Sequence, residues 1–122
     1  MKLQFDASGT RIRIDESELA TLQSDGAVCT RYRVDANWRG TLAVELVDRI
    51  TAKRPRWSTT RDDSGWTATL RIERAALAAH VDCLPSRTGL SWTLSQVGAE
   101  ALTIVFEVDV RDSTRRRGPR SR

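Results

Sequence analysis

The chain has 122 residues, a formal net charge of +4 and 39% hydrophobic residues, which suits one ordinary globular domain. No apolar run approaches the roughly 20 residues of a membrane-spanning helix, and the first residues lack the apolar core of a signal peptide. Two cysteines and one histidine form no metal-ligand pattern. We therefore expect a cytoplasmic protein that needs no metal or cofactor.

The positive charge is concentrated at the C-terminal end. Residues 1–110 carry fourteen basic and fifteen acidic side chains, whereas residues 111–122 carry six arginines and one aspartate. From Ser113 onward the chain has no aliphatic or aromatic residue to bury. We therefore predict that residues 111–122 form a disordered, Arg-rich tail.

Residues 1–110 read as two copies of one pattern, about 1–50 and 57–110, joined by a connection at 51–56. An Asp-Ala-Ser-Gly turn begins at Asp6, and an Asp-Asp-Ser-Gly turn begins fifty-six residues later at Asp62. Each copy contains a strand, turn, strand, short helix, strand, turn and strand. Such a repeat is typical of a fold in which each copy needs the other to bury its apolar face.

The first copy begins with two strands around its turn. Ile12 and Ile14 alternate with arginines, which is typical of a strand with one buried face. Asp15 and Glu18 have the spacing of a capping box at a helix start, and Gly26 is a natural stop for that helix. Two further strands follow, with apolar residues alternating through positions 32–46.

The second copy repeats this order with other residues. Ile72 stands where the first copy has Ile14, and after the helix the copies align at an offset of sixty, for example Tyr32 with Trp92. We predict an α+β fold of mostly antiparallel β structure. It would contain about eight strands and two short helices as a tandem ββαββ duplication, barrel-like if the sheet closes to remove its edges.

Few residues suggest catalysis. His80 lies three residues before Cys83, but no zinc or nucleophile motif surrounds them, so we interpret Cys29 and Cys83 as free, partly buried thiols. The adjacent Asp62 and Asp63 belong to the repeated turn, where an aspartate hydrogen-bonds its own backbone. We therefore favour binding over catalysis and predict no catalytic residues.

Arginines are better candidates for a site. The outward rows of the predicted strands would form a basic stripe, or pair with carboxylates across strands, through Arg11, Arg13, Arg31, Arg33 and Arg71. Basic residues also cluster in the connection between the copies and in the tail. Our candidates for binding an anion or nucleic acid are Arg31, Arg33, Lys53, Arg54, Arg56, Arg115, Arg116 and Arg117. Trp38 and Trp57 are the candidates for a partner surface.

The opening Met-Lys-Leu, the strand Thr-Arg-Ile-Arg-Ile and the late strand Leu-Thr-Ile-Val-Phe-Glu-Val-Asp-Val resemble a family of small uncharacterised bacterial proteins. The similarity spans most of residues 1–110 and implies a bacterial source and a shared fold, but no substrate. That family continues with a cysteine and an acidic segment, whereas residues 111–122 here are basic. The duplicated pattern is also similar to triphosphate-tunnel enzymes, although Lys2–Asp6 lacks their Glu-x-Glu-x-Lys signature.

Three functions are compatible with these patterns. The first is a non-enzymatic protein-interaction or accessory module that uses a strand edge or the region around Trp38 and Trp57. The second is binding of nucleic acid or another polyanion by the basic strand face and the tail. The third is a small barrel that binds or cleaves a phosphorylated molecule, which requires Arg and Glu side chains inside. A dedicated site is expected where the copies differ, as at Arg31 and Arg33.

Overall fold

The computed structural model describes residues 1–94 and 101–119. Residues 95–100 and 120–122 lie outside the described residues, and with them Gly98, which the predicted repeat aligns with Trp38, and the end of the predicted tail. The elements in chain order are β1 (Lys2–Phe5), β2 (Gly9–Ile14), α1 (Glu16–Asp25), β3 (Ala27–Arg33), β4 (Arg39–Val47), β5 (Trp57–Asp62), β6 (Gly65–Glu73), α2 (Arg74–Val81), β7 (Leu90–Leu94), β8 (Leu102–Val108) and α3 (Val110–Arg117).

The chain divides into two compact units. Unit 1 comprises Met1–Leu19 and His80–Arg122, and unit 2 comprises Ala20–Ala79. Sheet A of unit 1 has the strand order β1-β2-β8-β7, and sheet B of unit 2 has the order β3-β4-β6-β5. The prediction of an α+β fold with eight strands is confirmed. The barrel-like closure is wrong for the described residues, because each of the two sheets retains two edge strands.

Each sheet combines one hairpin from each copy of the repeat. Hairpin β1–β2 pairs with β7–β8, and hairpin β3–β4 pairs with β5–β6. The outer pairs are antiparallel, as predicted, but the central pairs β2–β8 and β4–β6 are parallel. The two sheets therefore have the same internal order, and each half of the predicted repeat contributes one hairpin to each sheet.

The strand pairing corrects the alignment of the copies by two residues. Arg13 pairs with Glu107, and Arg71 pairs with Glu45. This makes β4 and β8 equivalent at an offset of sixty-two (107 minus 45), where the sequence pattern predicted sixty. Because side chains alternate with a period of two, a shift of two residues keeps the apolar pattern intact and is invisible in the sequence.

The core of each unit is built from the aliphatic rows of its strands. In unit 1 the buried hydrophobic residues of sheet A are Ile12, Ile14, Ile104, Phe106 and Val108. In unit 2 those of sheet B include Leu42, Val44, Leu70 and Ile72. The arginines that alternate with them point away from these cores, so the inward rows are apolar. An interior that holds Arg and Glu side chains together, as the third hypothesis requires, is not found among these strands.

The turns, the helix cap and the helix stop that the sequence predicts are present in the structure. Asp6 accepts hydrogen bonds from the backbone N–H groups of Ser8 and Gly9, at 2.8 and 3.0 Å, and the turn at Asp62 repeats this pattern. The capping box is reciprocal: Glu18 N–H donates to Asp15 Oδ1 at 2.7 Å, and Asp15 N–H donates to Glu18 Oε1 at 3.1 Å. The first helix is followed by a glycine at φ +80°, as expected for Gly26.

A third helix corrects the prediction of two helices, and it lies in the segment predicted to be disordered. Asp109 caps α3 by accepting from the N–H groups of Arg111 and Asp112, and Gly118 ends it at φ +82°. Arg117 also pairs at 2.5 Å with the buried carboxylate of Glu16. These caps and this ion pair hold a helix that buries almost no apolar surface. None of the helices in the described ranges has the length and apolar character to cross a bilayer.

Candidate anion-binding site

The outward arginines lie on two different sheets. Arg11 and Arg13 lie on β2 of sheet A, whereas Arg31, Arg33 and Arg71 lie on strands of sheet B. The predicted stripe is therefore divided between the two units. Within each unit, what distinguishes the arginines is whether a carboxylate pairs with them.

The predicted patch in the connection between the copies is largely neutralised. Arg54 pairs with Glu45 at 2.6 Å, Arg71 pairs with the same carboxylate at 3.0 Å, and Arg56 pairs with Glu73. Burial raises the pKa of Glu45, but hydrogen bonds from the two arginines outweigh it and lower the pKa overall. Hydrogen bonds from Arg56 likewise lower the pKa of Glu73. The cross-strand pairing proposed for Arg71 is confirmed.

The predicted arginines of the tail lie in unit 1 and are mostly engaged too. Arg117 pairs with Glu16 at 2.5 Å, and Arg116 pairs with Asp112 at 3.3 Å within the helix. Arg115 is exposed and lies in the last turn of α3, where a positive charge is favourable to the helix dipole. These side chains therefore have a role in holding the helix.

Arg31 and Arg33 differ from these residues. Both are exposed, and the side chain of neither makes an ion pair or hydrogen bond with another residue of the described ranges. The ladder of sheet B places them at the end of the sheet where both of its hairpins turn. The first row there is Arg33, Arg39, Gly65 and Asp62, and the next row on the same face of the sheet is Arg31, Thr41, Thr67 and Thr60.

A pocket of about 430 Å³ opens at this end of sheet B. Its cationic lining is Arg31, Arg39 and Arg61, and we call it the arginine pocket. Asp62 is the carboxylate among its lining residues, and its Oδ1 already accepts from Ser64 Oγ and from the backbone N–H groups of Ser64 and Gly65. Those bonds lower the pKa of Asp62. The lining also contains further neutral donors, the hydroxyls of Thr41, Thr60 and Thr67 and the side-chain amide of Asn37.

Two glycines shape the sheet at the arginine pocket. A Cβ on Gly65 would lie 1.8 Å from the carbonyl oxygen of Arg39, so the two strands meet there without a side chain between them. A Cβ on Gly40 would lie 2.1 Å from the ring of Trp66. Because Gly40 is bare, the Trp66 ring reaches across β4 and stacks on Tyr32, with ring centroids 6.2 Å apart. The stacked rings hold β3, β4 and β6 together beside the pocket.

Only part of the arginine pocket could be predicted from the sequence. The alternation of apolar residues correctly placed Arg31 and Arg33 on an outward row. It missed Arg39 and Arg61, because they gain significance only from the register that brings two hairpin ends together. Arg39 on β4 lies beside Gly65 on β6, and this pairing could not be predicted from the sequence of either strand alone.

The two tryptophans of the predicted partner surface are only partly exposed. Trp38 lies in the turn between β3 and β4, where its carbonyl accepts from the N–H groups of Val34 and Asp35 at 3.1 Å. Trp57 begins β5 and pairs in register with the core residue Leu70. Both indole side chains are half-buried, so each has a packing role in its unit.

The histidine and cysteines form no reactive cluster. Cys29 and Cys83 are free, as predicted, but both are exposed, so the expectation of partial burial is wrong. No group of three His, Cys, Asp or Glu residues that could hold a metal occurs within 1–94 and 101–119. His80 is buried, and its Nε2 has no hydrogen-bond partner in the described part of the chain. Burial lowers the pKa of His80 below its ordinary value of 6.5.

This burial predicts a loss of stability in mild acid. Because the folded state resists protonation, stability is complete above about pH 6.5 and falls as the pH drops below that value, by at most about 1.4 kcal/mol per pH unit. The carboxylates with lowered pKa values lose their contribution only at lower pH, since their ordinary values are 3.8 and 4.5. Urea titrations between pH 5 and 7 should therefore show a slope that His80→Leu removes. An unchanged slope in the variant would contradict this assignment.

The comparisons with known proteins identify no relative of this chain. The resemblance of residues 1–110 to a family of small bacterial proteins therefore stays a prediction. No family model, curated protein or solved structure matches the chain.

Proposed function

We propose that this protein is a non-enzymatic module that binds the phosphate backbone of single-stranded nucleic acid at the arginine pocket. The observation that carries the proposal is the contrast within unit 2. Arg54, Arg56 and Arg71 each have a carboxylate partner, whereas Arg31, Arg33 and Arg39 have no ion pair with a described residue.

Electrostatics favours an anion at this position. Arg31, Arg33 and Arg39 share one face of sheet B with the single carboxylate of Asp62, which gives a surplus of two positive charges at the arginine pocket. Like charges held close together repel one another, so a cluster without carboxylate partners is favourable only when an anion completes it. Arginine presents several N–H donors in a planar fork that matches the oxygens of a phosphate.

The arginine pocket also suits a strand of nucleic acid better than a single small anion. Its threonine hydroxyls and the Asn37 amide supply neutral donors, which commonly contact phosphate and sugar oxygens. The rows of sheet B continue from the arginines through Thr41 and Thr67 to Ala43 and Thr69, and these small side chains leave the surface open. A strand of nucleic acid could therefore follow the outward face of the sheet from the pocket.

The rival proposal is a protein-interaction module that acts through Trp38 and Trp57. It rests on two half-buried side chains, one in a hairpin turn and one opposite the core residue Leu70. We rank it second for that reason. Retention of the fold without any affinity for nucleic acid would favour it.

Binding to a labelled single-stranded RNA, followed by fluorescence anisotropy over a salt series, tests the first proposal. We expect affinity to fall steeply with salt. The double variant Arg31→Gln/Arg39→Gln should bind about tenfold more weakly or worse at low salt. Because each phosphate contact on a single strand contributes about 0.7 to the slope of log K against log salt, the slope should fall by about 1.4.

The matched control is Lys53→Gln/Arg54→Gln, which removes two charges from the same unit outside the pocket. It should retain most of the affinity. If both double variants weaken binding equally, general charge and not the pocket is responsible. If the wild-type chain does not bind at low salt, the proposed function is wrong.

A further inference from the structure

Unit 1 contains a second basic pocket that the sequence did not single out. It opens on the outward side of sheet A, near the start of α3, and has a volume of about 520 Å³. Strands β1, β2 and β8 contribute to it together with the segment at Ser86 and Arg87. We call it the unit 1 pocket. Five cationic residues line it: Lys2, Arg11, Arg13, Arg87 and Arg111.

The carboxylates of this pocket are already engaged by other groups. The side chain of Glu107 is only 9% exposed, and it accepts from Arg11 Nη1 at 3.1 Å and from Arg13 Nε at 2.9 Å. Asp109 Oδ1 accepts from the backbone N–H groups of Arg111 and Asp112, at 2.9 and 3.2 Å. Five cations therefore face two occupied carboxylates, a surplus of three positive charges.

The surplus belongs to three particular side chains. Lys2, Arg87 and Arg111 are exposed, and none of them makes an ion pair with a residue in 1–94 or 101–119. Arg11 and Arg13 are tied to Glu107 through one edge of each guanidinium, which fixes their orientation. Their side chains remain 46% and 45% exposed, so further donors are accessible to a ligand. Fixed donors lose less entropy when they bind.

Unit 2 provides an internal comparison. It contains the equivalent cross-strand pair, Arg71 with Glu45, at the same place between two parallel strands. There each additional arginine has a carboxylate partner: Arg54 shares Glu45 with Arg71, and Arg56 pairs with Glu73. The central pair of an arginine with a glutamate is thus the feature that both units share. The excess of cations around that pair in unit 1 has no role in the scaffold that unit 2 shares.

We propose that the unit 1 pocket binds a compact anion that carries two or more phosphate groups. A surplus of three charges exceeds what one phosphodiester requires and matches a diphosphate. The volume is also sufficient, since about 520 Å³ corresponds to more than ten water molecules at about 30 Å³ each. Arg87 and Arg111 would bind the phosphate oxygens directly, beside the oriented Arg11 and Arg13.

Calorimetric titration of the full chain with pyrophosphate at low ionic strength tests this proposal. We expect one pyrophosphate per chain at this pocket and at least tenfold weaker binding by Arg87→Gln/Arg111→Gln. The control Arg49→Gln/Arg74→Gln removes the same charge from exposed positions in unit 2 and should bind as the wild type does. Thermal melting of each variant separates a loss of binding from a loss of folding. Sulfate at equal ionic strength should bind more weakly than pyrophosphate.

Three results would overturn the assignment: no heat of binding to the wild type, equal affinity for sulfate, or full affinity in Arg87→Gln/Arg111→Gln. The test is independent of the RNA experiment. Arg31→Gln/Arg39→Gln should still bind pyrophosphate in unit 1, and Arg87→Gln/Arg111→Gln should still bind RNA in unit 2. Either proposal can therefore fail while the other stands.

Discussion

Phe106→Ala is expected to lower the free energy of unfolding by about 3–5 kcal/mol. Phe106 is fully buried on β8, where it pairs in register with Ile12 on one side and Leu90 on the other. Truncation removes the transfer free energy of the ring and leaves a cavity that the surrounding strands fill only partly. Because domains of this kind are stable by only about 5–15 kcal/mol, the loss would be a large fraction of the total.

Urea denaturation measures this effect, and Phe5→Ala is its natural control. Phe5 lies on β1 of the same sheet but is 64% exposed, so its truncation should cost less than about 1 kcal/mol. The residue type and the change are identical, and burial is the difference. Similar losses in both variants would mean that the core of unit 1 is not arranged around β8.

Gly65→Ala should also destabilise the protein strongly, by about 3 kcal/mol. The added Cβ would lie 1.8 Å from the carbonyl oxygen of Arg39, and no flexible side chain can move to make room, because the obstacle is backbone. The parallel pair β4–β6 would have to separate at the arginine pocket. Gly9→Ala should behave in the same way, since its Cβ would lie 1.8 Å from the carbonyl oxygen of Thr103.

Asp63→Ala is the control for this effect, because Asp63 is exposed in the same turn. It should change the stability by no more than about 0.5 kcal/mol. Thermal melts of the variants decide the matter. A Gly65→Ala protein that melts with the wild type would show that the two strands do not approach as closely as described.

The features predicted correctly from the sequence are all local. The turns at Asp6 and Asp62, the capping box of Asp15 with Glu18 and the stop at Gly26 each depend on residues within four positions of one another. Alternation likewise identified which rows of the strands are buried. These patterns sufficed for the number of strands and for the outward position of Arg31.

What the sequence could not reveal depends on pairing between distant strands. Alternation does not tell a parallel neighbour from an antiparallel one, so the central pairs β2–β8 and β4–β6 were missed. The same limitation hid the partners of Arg54 and Arg56 and the contribution of Arg39 to the arginine pocket. The third helix was missed because the predicted tail at 111–122 has no aliphatic or aromatic residue to bury, whereas the ends of the helix are held by the caps at Asp109 and Gly118.

Because each sheet combines hairpins from both copies, the two sheets can form at different times as the chain leaves the ribosome. Register partners in the central pair of sheet B are always 26 residues apart, as in Arg39 with Gly65, whereas those of sheet A are 94 apart, as in Gly9 with Thr103. Closing the longer loop costs about 1 kcal/mol more in chain entropy. Sheet B comes from one continuous stretch, while hairpin β1–β2 must wait for β8. Although β2 is the second strand to be synthesised, it is thus among the last to pair with its parallel neighbour.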